Sequence, residues 1–387
     1  LFMMLGALGY MFGTGGTALV AKTMGEGDDK RARGLFSLIV YATLIVGIAC
    51  GIVVFVAVGS VAGALGAEGS LLEECVVYGS ILAFSLPFFM LQETFQSLLT
   101  AAGKPKVGLC VMVVAGVANI ALDALFIIVF QWGLAGAALA TAISEVLGGA
   151  IPFLYFARPN SSTLRLGRPL IDVRALGRVC MNGSSELVSN LSMSLVSMVY
   201  NFQLMAYIGP DGVAIYGVIQ YVAWIAVSLL MGFTVGSSPI ISYHYGAKNS
   251  AELKGLFRTC LGVMVAGGVL ITVLTHLFAH PLAAVFVGYD LTLCEMTVAA
   301  LGEYSLAFIF VGVSIFGSAF FTALNNGLVS ALISFLRTLV FECAAVMFLP
   351  AIIGVDGIWL SIVVAEIASM FLTGGFLVGL RKHYGYV

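Results

Sequence analysis

Residues 107–157 read VGLCVMVVAGVANIALDALFIIVFQWGLAGAALATAISEVLGGAIPFLYFA, two apolar runs (107–130 and 134–157) joined by the short turn Gln131-Trp132-Gly133. About 20 consecutive apolar residues cross the hydrocarbon core of a bilayer as a helix. The stretch therefore predicts a transmembrane helical hairpin. Asn119 and Asp123 stand four residues apart in the first run and share one helical face. Asp123 lies seven residues before the turn and Thr141 about eight after it. At 1.5 Å per residue both sit roughly 10 Å in from the same membrane face. A carboxylate, an amide and a hydroxyl at matched depth can line a small cation site with oxygen. An ionisable group at that depth is costly to leave unpaired, so it is read as functional.

The rest of the chain repeats the pattern of that hairpin. Hydrophobic residues make up 61% of the 387 and charged residues 9%, where a soluble domain carries about 25% charged. Apolar runs fall near 1–20, 35–60, 75–101, 107–130, 134–157, 178–207, 212–240, 255–279, 296–322, 328–350 and 356–380. The expected fold class is an all-α polytopic membrane protein. Seven cysteines (50, 75, 110, 180, 260, 294 and 343) are scattered singly without metal or redox spacing and read as small core residues. The chain starts at Leu1 inside an apolar segment with no charged n-region, so the first run is not read as a signal peptide. A truncated first helix is the expectation.

Charge gives the orientation. Sixteen of the seventeen Lys and Arg fall in the linkers 21–34, 102–106, 157–178 and 246–258 and in the tail from Arg381. The alternate linkers carry acids instead, among them Glu68, Glu73, Glu74, Asp211, Asp290 and Asp356. The basic linkers and the C-terminus are therefore expected in the cytoplasm of a cell membrane.

An internal repeat sets the domain plan. GGTALVAKTMG at 15–25 resembles GSSPIISYHYG at 236–246, Gly34-Leu35-Phe36 matches Gly255-Leu256-Phe257, and Gly133, Gly136 and Glu145 match Gly354, Gly357 and Glu366. Each pair is 221 residues apart, as a duplication would leave it. Six helices per copy make the repeat parallel, about a pseudo-two-fold axis along the membrane normal. The plan is an N-terminal lobe at 1–157, a cytoplasmic linker at 158–177 and a C-terminal lobe at 178–387. The first helix and part of the second are expected to be missing, roughly 44 residues by the repeat.

Seven acids and one base fall inside the apolar runs: Glu93, Asp123, Glu145, Glu186, Glu303, Glu342 and Glu366, with Arg337. Glu93 and Glu303 read as interfacial or paired groups. Glu145 and Glu366, at equivalent repeat positions, read as braces of each bundle, and Arg337 and Glu342 as members of one charge network. Asp123 has only alanine (Ala344 or Ala345) at its repeat position, which points away from a brace inherited by duplication. Glu186, after Asn182-Gly183-Ser184-Ser185, reads as an acid that attracts cationic ligands or as a helix-start acid favoured by the dipole. Part of the aromatic and methionine complement could stack against flat cations. Gly13-Thr14-Gly15-Gly16 follows no strand and reads as close helix packing, and His276 and His280 as an interface pair. No nucleophile and base are set at catalytic spacing, so an enzyme is not expected, nor a nucleic-acid partner.

The runs Leu99-Thr100-Ala101-Ala102-Gly103-Lys104-Pro105-Lys106, Ala118-Asn119-Ile120-Ala121-Leu122-Asp123 and Gly133-Leu134-Ala135-Gly136-Ala137-Ala138-Leu139-Ala140-Thr141 resemble the multidrug and toxic compound extrusion (MATE) family, bacterial branch. So does Pro239-Ile240-Ile241-Ser242-Tyr243-His244-Tyr245-Gly246-Ala247-Lys248-Asn249. The resemblance spans essentially the whole chain. It implies twelve helices in two six-helix bundles and an alternating-access antiporter, embedded in the lipid bilayer, that exports small organic cations against Na+ or H+. It implies a coupling-cation site of Asn119, Asp123 and Thr141, with Asp123 and Asn119 as metal ligands if the ion is Na+. Glu186 matches the family's acidic position on the seventh helix and is expected to bind substrate. No cofactor beyond the coupling ion is expected, and the protein is expected to be a monomer. The family's acid on the tenth helix aligns near Val311, which departs from that pattern. A lipid-linked saccharide flippase is the alternative, disfavoured because one intramembrane arginine stands against seven acids.

Overall fold

The structure is a computed structural model and describes residues 2–64 and 66–386. Every regular element among the described residues is helical. Among the described residues nine helices are long and apolar enough to cross a membrane, or ten if one bent pair counts as a single span. The run expected at 178–207 is indeed a helix, α6 (Val173–Tyr207), but it is not among them. Arg174, Arg178, Asn182, Ser185, Glu186, Asn190 and Asn201 make it too polar.

The chain divides into two compact units, residues 1–183 and 184–387. In the first, α3 (Gly69–Ala101) packs along α1 (Phe2–Gly25), α2 (Asp29–Ala64) and α5 (Gly133–Ala157). The helix α4 (Pro105–Asp123) continues as a π-helical turn, Ala124–Val129, and folds back beside α5. Pro105 sits in the first turn of α4, where its missing N–H costs no hydrogen bond. Leu109, Val113, Val117 and Ile120 form its exposed face, while Val111 and Ala115 are buried. Such an exposed apolar face suits lipid. The basic connection after α5 is laid on this unit: Arg33 Nε donates to Thr163 O (2.7 Å), Leu170 N to Gly34 O (3.0 Å) and Lys104 Nζ to Ser161 Oγ (2.8 Å).

The second unit holds the remainder of α6 and then α7 (Pro210–Gly246), α8 (Ser250–Leu277) and the short α9 (Ala279–Val287). It continues with α10 (Leu291–Ser305), α11 (Phe308–Ala323), α12 (Gly327–Phe335), a π-helical turn (Leu336–Phe341), α13 (Glu342–Ile353), α14 (Asp356–Gly379) and α15 (Arg381–Tyr384). Asn249, Asp290 and Asn326 cap α8, α10 and α12 with their side-chain oxygens. The expected single run 296–322 is instead bent by 45° between α10 and α11. No proline causes this. Thr272 Oγ1 donates to the Ser305 carbonyl (3.0 Å), and the local bonds shorten to Leu306 N to Glu303 O and Ala307 N to Tyr304 O. A side chain that takes a carbonyl from the ladder bends a helix.

The repeat is visible in the packing. A β-carbon on Gly47 would stand 2.7 Å from Pro87 Cα, and one on Gly268 would collide with the Phe308 carbonyl. Both partners of the second contact lie 221 residues after those of the first. The bend at Leu306 and Ala307 therefore falls at the repeat equivalent of Ser85 and Leu86, just before Pro87 in α3.

Candidate functional site

Asn119 and Asp123 lie one turn apart at the end of α4, half-buried, immediately before the π-helical turn. A π-helical turn inside a span is often found at a functional position. Helix α5 approaches this turn closely at Gly136, where an added β-carbon would meet Phe126 Cβ at 3.0 Å. The two helices are antiparallel, so five residues further on Thr141 is level with about residue 121. That puts it at the depth of Asn119 and Asp123, as the count from the turn predicts. Among the described residues the three side chains make no hydrogen bonds. They share a depth; they are not yet a closed cage.

Two further acids of this unit are buried, Glu93 deeper than its reading as an interfacial group and Glu145 in the position expected of a brace. Glu93 is 5% exposed inside α3, not at an interface, with its Oε2 unpartnered. Glu145 is 7% exposed in α5 and accepts from Ser85 Oγ at 2.6 Å.

In the second unit the charges gather. Arg337 Nε lies 2.7 Å from Glu366 Oε1. Glu342 lies within electrostatic reach of both, and Glu186 within reach of Arg337. Arg337 and Glu342 are five residues apart, which in a regular α-helix would turn them away from each other. The intervening turn Leu336–Phe341 is π-helical, and its i→i+5 bonding brings residues five apart onto one face. Tyr200 is fully buried beside this group, stacked on Tyr216 with centroids 4.9 Å apart, and its hydroxyl has no partner. Glu186, expected as a substrate-attracting acid on its own, is half-buried within the field of an arginine.

The sequence reading passed over a third group. Ser314, Ser318 and Thr322 follow one another at intervals of four on α11, as do Ser330 and Ser334 on α12. The interval of four was the available signal. Among the described residues no three His, Cys, Asp or Glu side chains converge as a metal centre of that type would require.

Membrane-length helices in two repeated units, each burying ionisable groups in an apolar interior, define a multi-pass membrane protein of the transporter class. The chain belongs to the MatE family, whose model matches residues 1–125 and 187–345. The multidrug export protein MepA of Staphylococcus saprophyticus is 25% identical over 375 residues, 95% of this chain and 80% of that protein. MepA of Staphylococcus aureus strain NCTC 8325 is 24% identical over 370 residues, 94% of this chain and 80% of that protein. Among solved structures, a MATE in complex with MaL6 superposes with a TM-score of 0.93 at 21% identity, covering 99% of this chain and 86% of its own. A MOP-superfamily transporter from Pyrococcus furiosus, described as having a binding pocket of reversed polarity, gives 0.91 at 21% identity, covering 99% and 85%. MATE transporters consist of two pseudo-symmetric six-helix halves, and the all-α class and family read from the sequence are borne out.

Proposed function

We propose that the protein is a secondary antiporter that exports small organic cations in exchange for Na+ or H+. The observation that carries this reading is the sign of the intramembrane charge. Seven acids stand against one arginine, and that arginine is already neutralised by Glu366. A substrate path with surplus carboxylates favours cationic cargo and leaves no free positive charge for an anionic lipid-linked saccharide. The names of the relatives, multidrug export proteins, agree with it. In this reading Asp123, with Asn119 and Thr141, binds the coupling ion, and Glu186 attracts substrate. The basic connections and the tail from Arg381 face the cytoplasm.

A coupling site acts only if it binds its ion with different affinity in the two access states. The test is efflux of a cationic dye from proteoliposomes, with a sodium gradient and a pH gradient imposed separately. Efflux driven by one gradient and lost in Asp123→Asn supports the assignment. Efflux that keeps its ion dependence in that variant removes Asp123 from the role, and no driven efflux of any cation moves the reading to the flippase.

A further inference from the structure

A line of hydroxyls runs through the second unit between α11, α12 and α14. Thr322 Oγ1 and Ser330 Oγ are 2.7 Å apart, Ser330 Oγ and Ser318 Oγ 2.9 Å, and Ser318 Oγ and Ser334 Oγ 3.0 Å. The line starts beside the half-buried Asn325-Asn326 connection, where Asn326 Nδ2 donates to Tyr384 OH (2.9 Å). From Thr322 to Ser314 it advances eight residues, about 12 Å along α11.

Beyond the bonded stretch, four polar atoms are buried without a partner: Ser314 Oγ, Ser369 Oγ, Thr373 Oγ1 and Glu366 Oε2. Their residues are at most 2% exposed. Thr373 is set against α11 at Gly317, where an added β-carbon would meet its side chain. Ser369 lies one turn back from Thr373 and three residues from Glu366 on the same helix. Orphaned polar atoms in a buried seam are the partners that a bridging water needs, two to four for each water.

Interhelical hydroxyls also serve plain helix packing in membranes. The repeat argues against that as the whole account. Positions 221 residues earlier hold Ala101 for Thr322, Leu109 for Ser330, Val113 for Ser334, Gly148 for Ser369, Pro152 for Thr373 and Gly116 for Arg337; Ser97 keeps the hydroxyl of Ser318, and Glu93 stands at the position of Ser314. The first copy builds its corresponding helices without the line and without the arginine, yet keeps the carboxylate, Glu145.

We propose that this seam is a proton path and that Glu366 is a proton-binding residue of the second unit, held ready by Arg337. Each hydroxyl accepts a proton on its oxygen and passes its own onward, so none is changed by the transfer. The proton ends on Glu366 Oε2, giving a neutral carboxylic acid. The Arg337–Glu366 pair then goes from zero net charge to plus one, and the guanidinium is released toward Glu342 and Glu186, the acids within its reach. The other groups facing Glu366 are Glu342 from α13 and Tyr304 from α10. The sequences of α11 and α12 contain no titratable residue, and the basic residues of α15 lie about 22 Å further along. The proposal rests on the antiporter reading for its purpose but not for its chemistry.

The experiment uses the purified protein in detergent and follows the carboxylic-acid infrared band as the pH is lowered, then proton uptake after a rapid pH jump. One titrating component of the band should vanish in Glu366→Gln. Ser318→Ala and Ser330→Ala, made separately and checked by thermal unfolding, should keep that component but slow uptake tenfold or more. Ser330→Thr, which keeps a hydroxyl, should restore the rate. An unchanged band in Glu366→Gln, or unchanged uptake in both alanine variants, overturns the proposal. Asp123→Asn is run in parallel: it tests the antiporter reading by dye efflux and should leave the Glu366 component in place.

Discussion

Arg337 and Glu366 meet at 2.7 Å with the glutamate side chain only 2% exposed. Each lies about ten residues into its span, near the membrane midplane. Both charges have left water, so the pair adds less to stability than its geometry suggests, but either member alone is costly. Arg337→Leu should destabilise the protein by about 3–5 kcal/mol through the uncompensated carboxylate. The double variant Arg337→Leu with Glu366→Leu should recover most of that loss. Thermal unfolding of the purified variants checks both. Equal losses in the single and double variants would show that Arg337 acts by packing and not by charge.

The fold was legible because its signals are long. Twenty-residue apolar runs and matches at a constant offset each average over many residues. The bend between α10 and α11 was not legible. It depends on the Thr272 hydroxyl taking the Ser305 carbonyl, a contact across 33 residues with no local breaker. The site divides in the same way. The depth of Asp123 and Thr141 follows from counting along helices, and α5 reaches the π-helical turn as the count requires. That Glu186 lies within electrostatic reach of Arg337 needed the fold, because the two lie on different helices. Arg337 and Glu342 sharing a face needed the π-helical turn, which the sequence does not announce.

The duplicated glycine contacts make a second, sharper expectation. Alanine in place of glycine gains about 1 kcal/mol of helix propensity, whereas overpacking costs typically 1–3 kcal/mol. At Gly268 the obstacle is the Phe308 carbonyl, which cannot swing aside, so the cost prevails. Gly47→Ala and Gly268→Ala should both lower the thermal midpoint. Gly267→Ala, whose β-carbon would sit 3.3 Å from the flexible Leu230 Cδ2, should be neutral or slightly stabilising. If the neighbouring substitutions at 267 and 268 behave alike, close backbone approach is not what fixes glycine at 268.

A buried phenol helps to hold the C-terminal segment. Tyr386 is buried among Phe257 and Phe320, with centroids 5.0 and 4.9 Å away, and its hydroxyl donates to the Leu377 carbonyl (2.7 Å). Burial pushes its pKa up to about 12, with Tyr384 adding to the rise. The folded form therefore holds this proton more tightly than the unfolded chain, whose phenol titrates near 10. Its contribution is complete below about pH 10 and is lost as the pH climbs through the folded value. Wild type should lose thermal stability across that alkaline window, and Tyr386→Phe should lose less. Parallel curves for the two proteins would assign the alkaline loss to other groups.

The candidate coupling site makes the most specific demand on its three residues. Asp123 supplies the charge, so Asp123→Asn should abolish ion-driven efflux while leaving dye binding measurable. Thr141 supplies one neutral oxygen. Its loss in Thr141→Val should cost about 1–3 kcal/mol of ion binding, a shift of roughly tenfold to a hundredfold in the ion concentration that half-saturates efflux. Thr141→Ser keeps the oxygen and should stay near wild type. Asn119, one turn below Asp123 on α4, should behave like Thr141, with Asn119→Leu raising the half-saturating concentration and not the maximal rate. A drop in maximal rate with no change in half-saturation would place Thr141 and Asn119 in helix packing. The ion would then be held by Asp123 with partners other than these two, because a lone carboxylate at that depth has too few oxygens to hold a dehydrated sodium ion. Protons would be the simpler coupling ion in that case, since a carboxylate alone suffices to bind one.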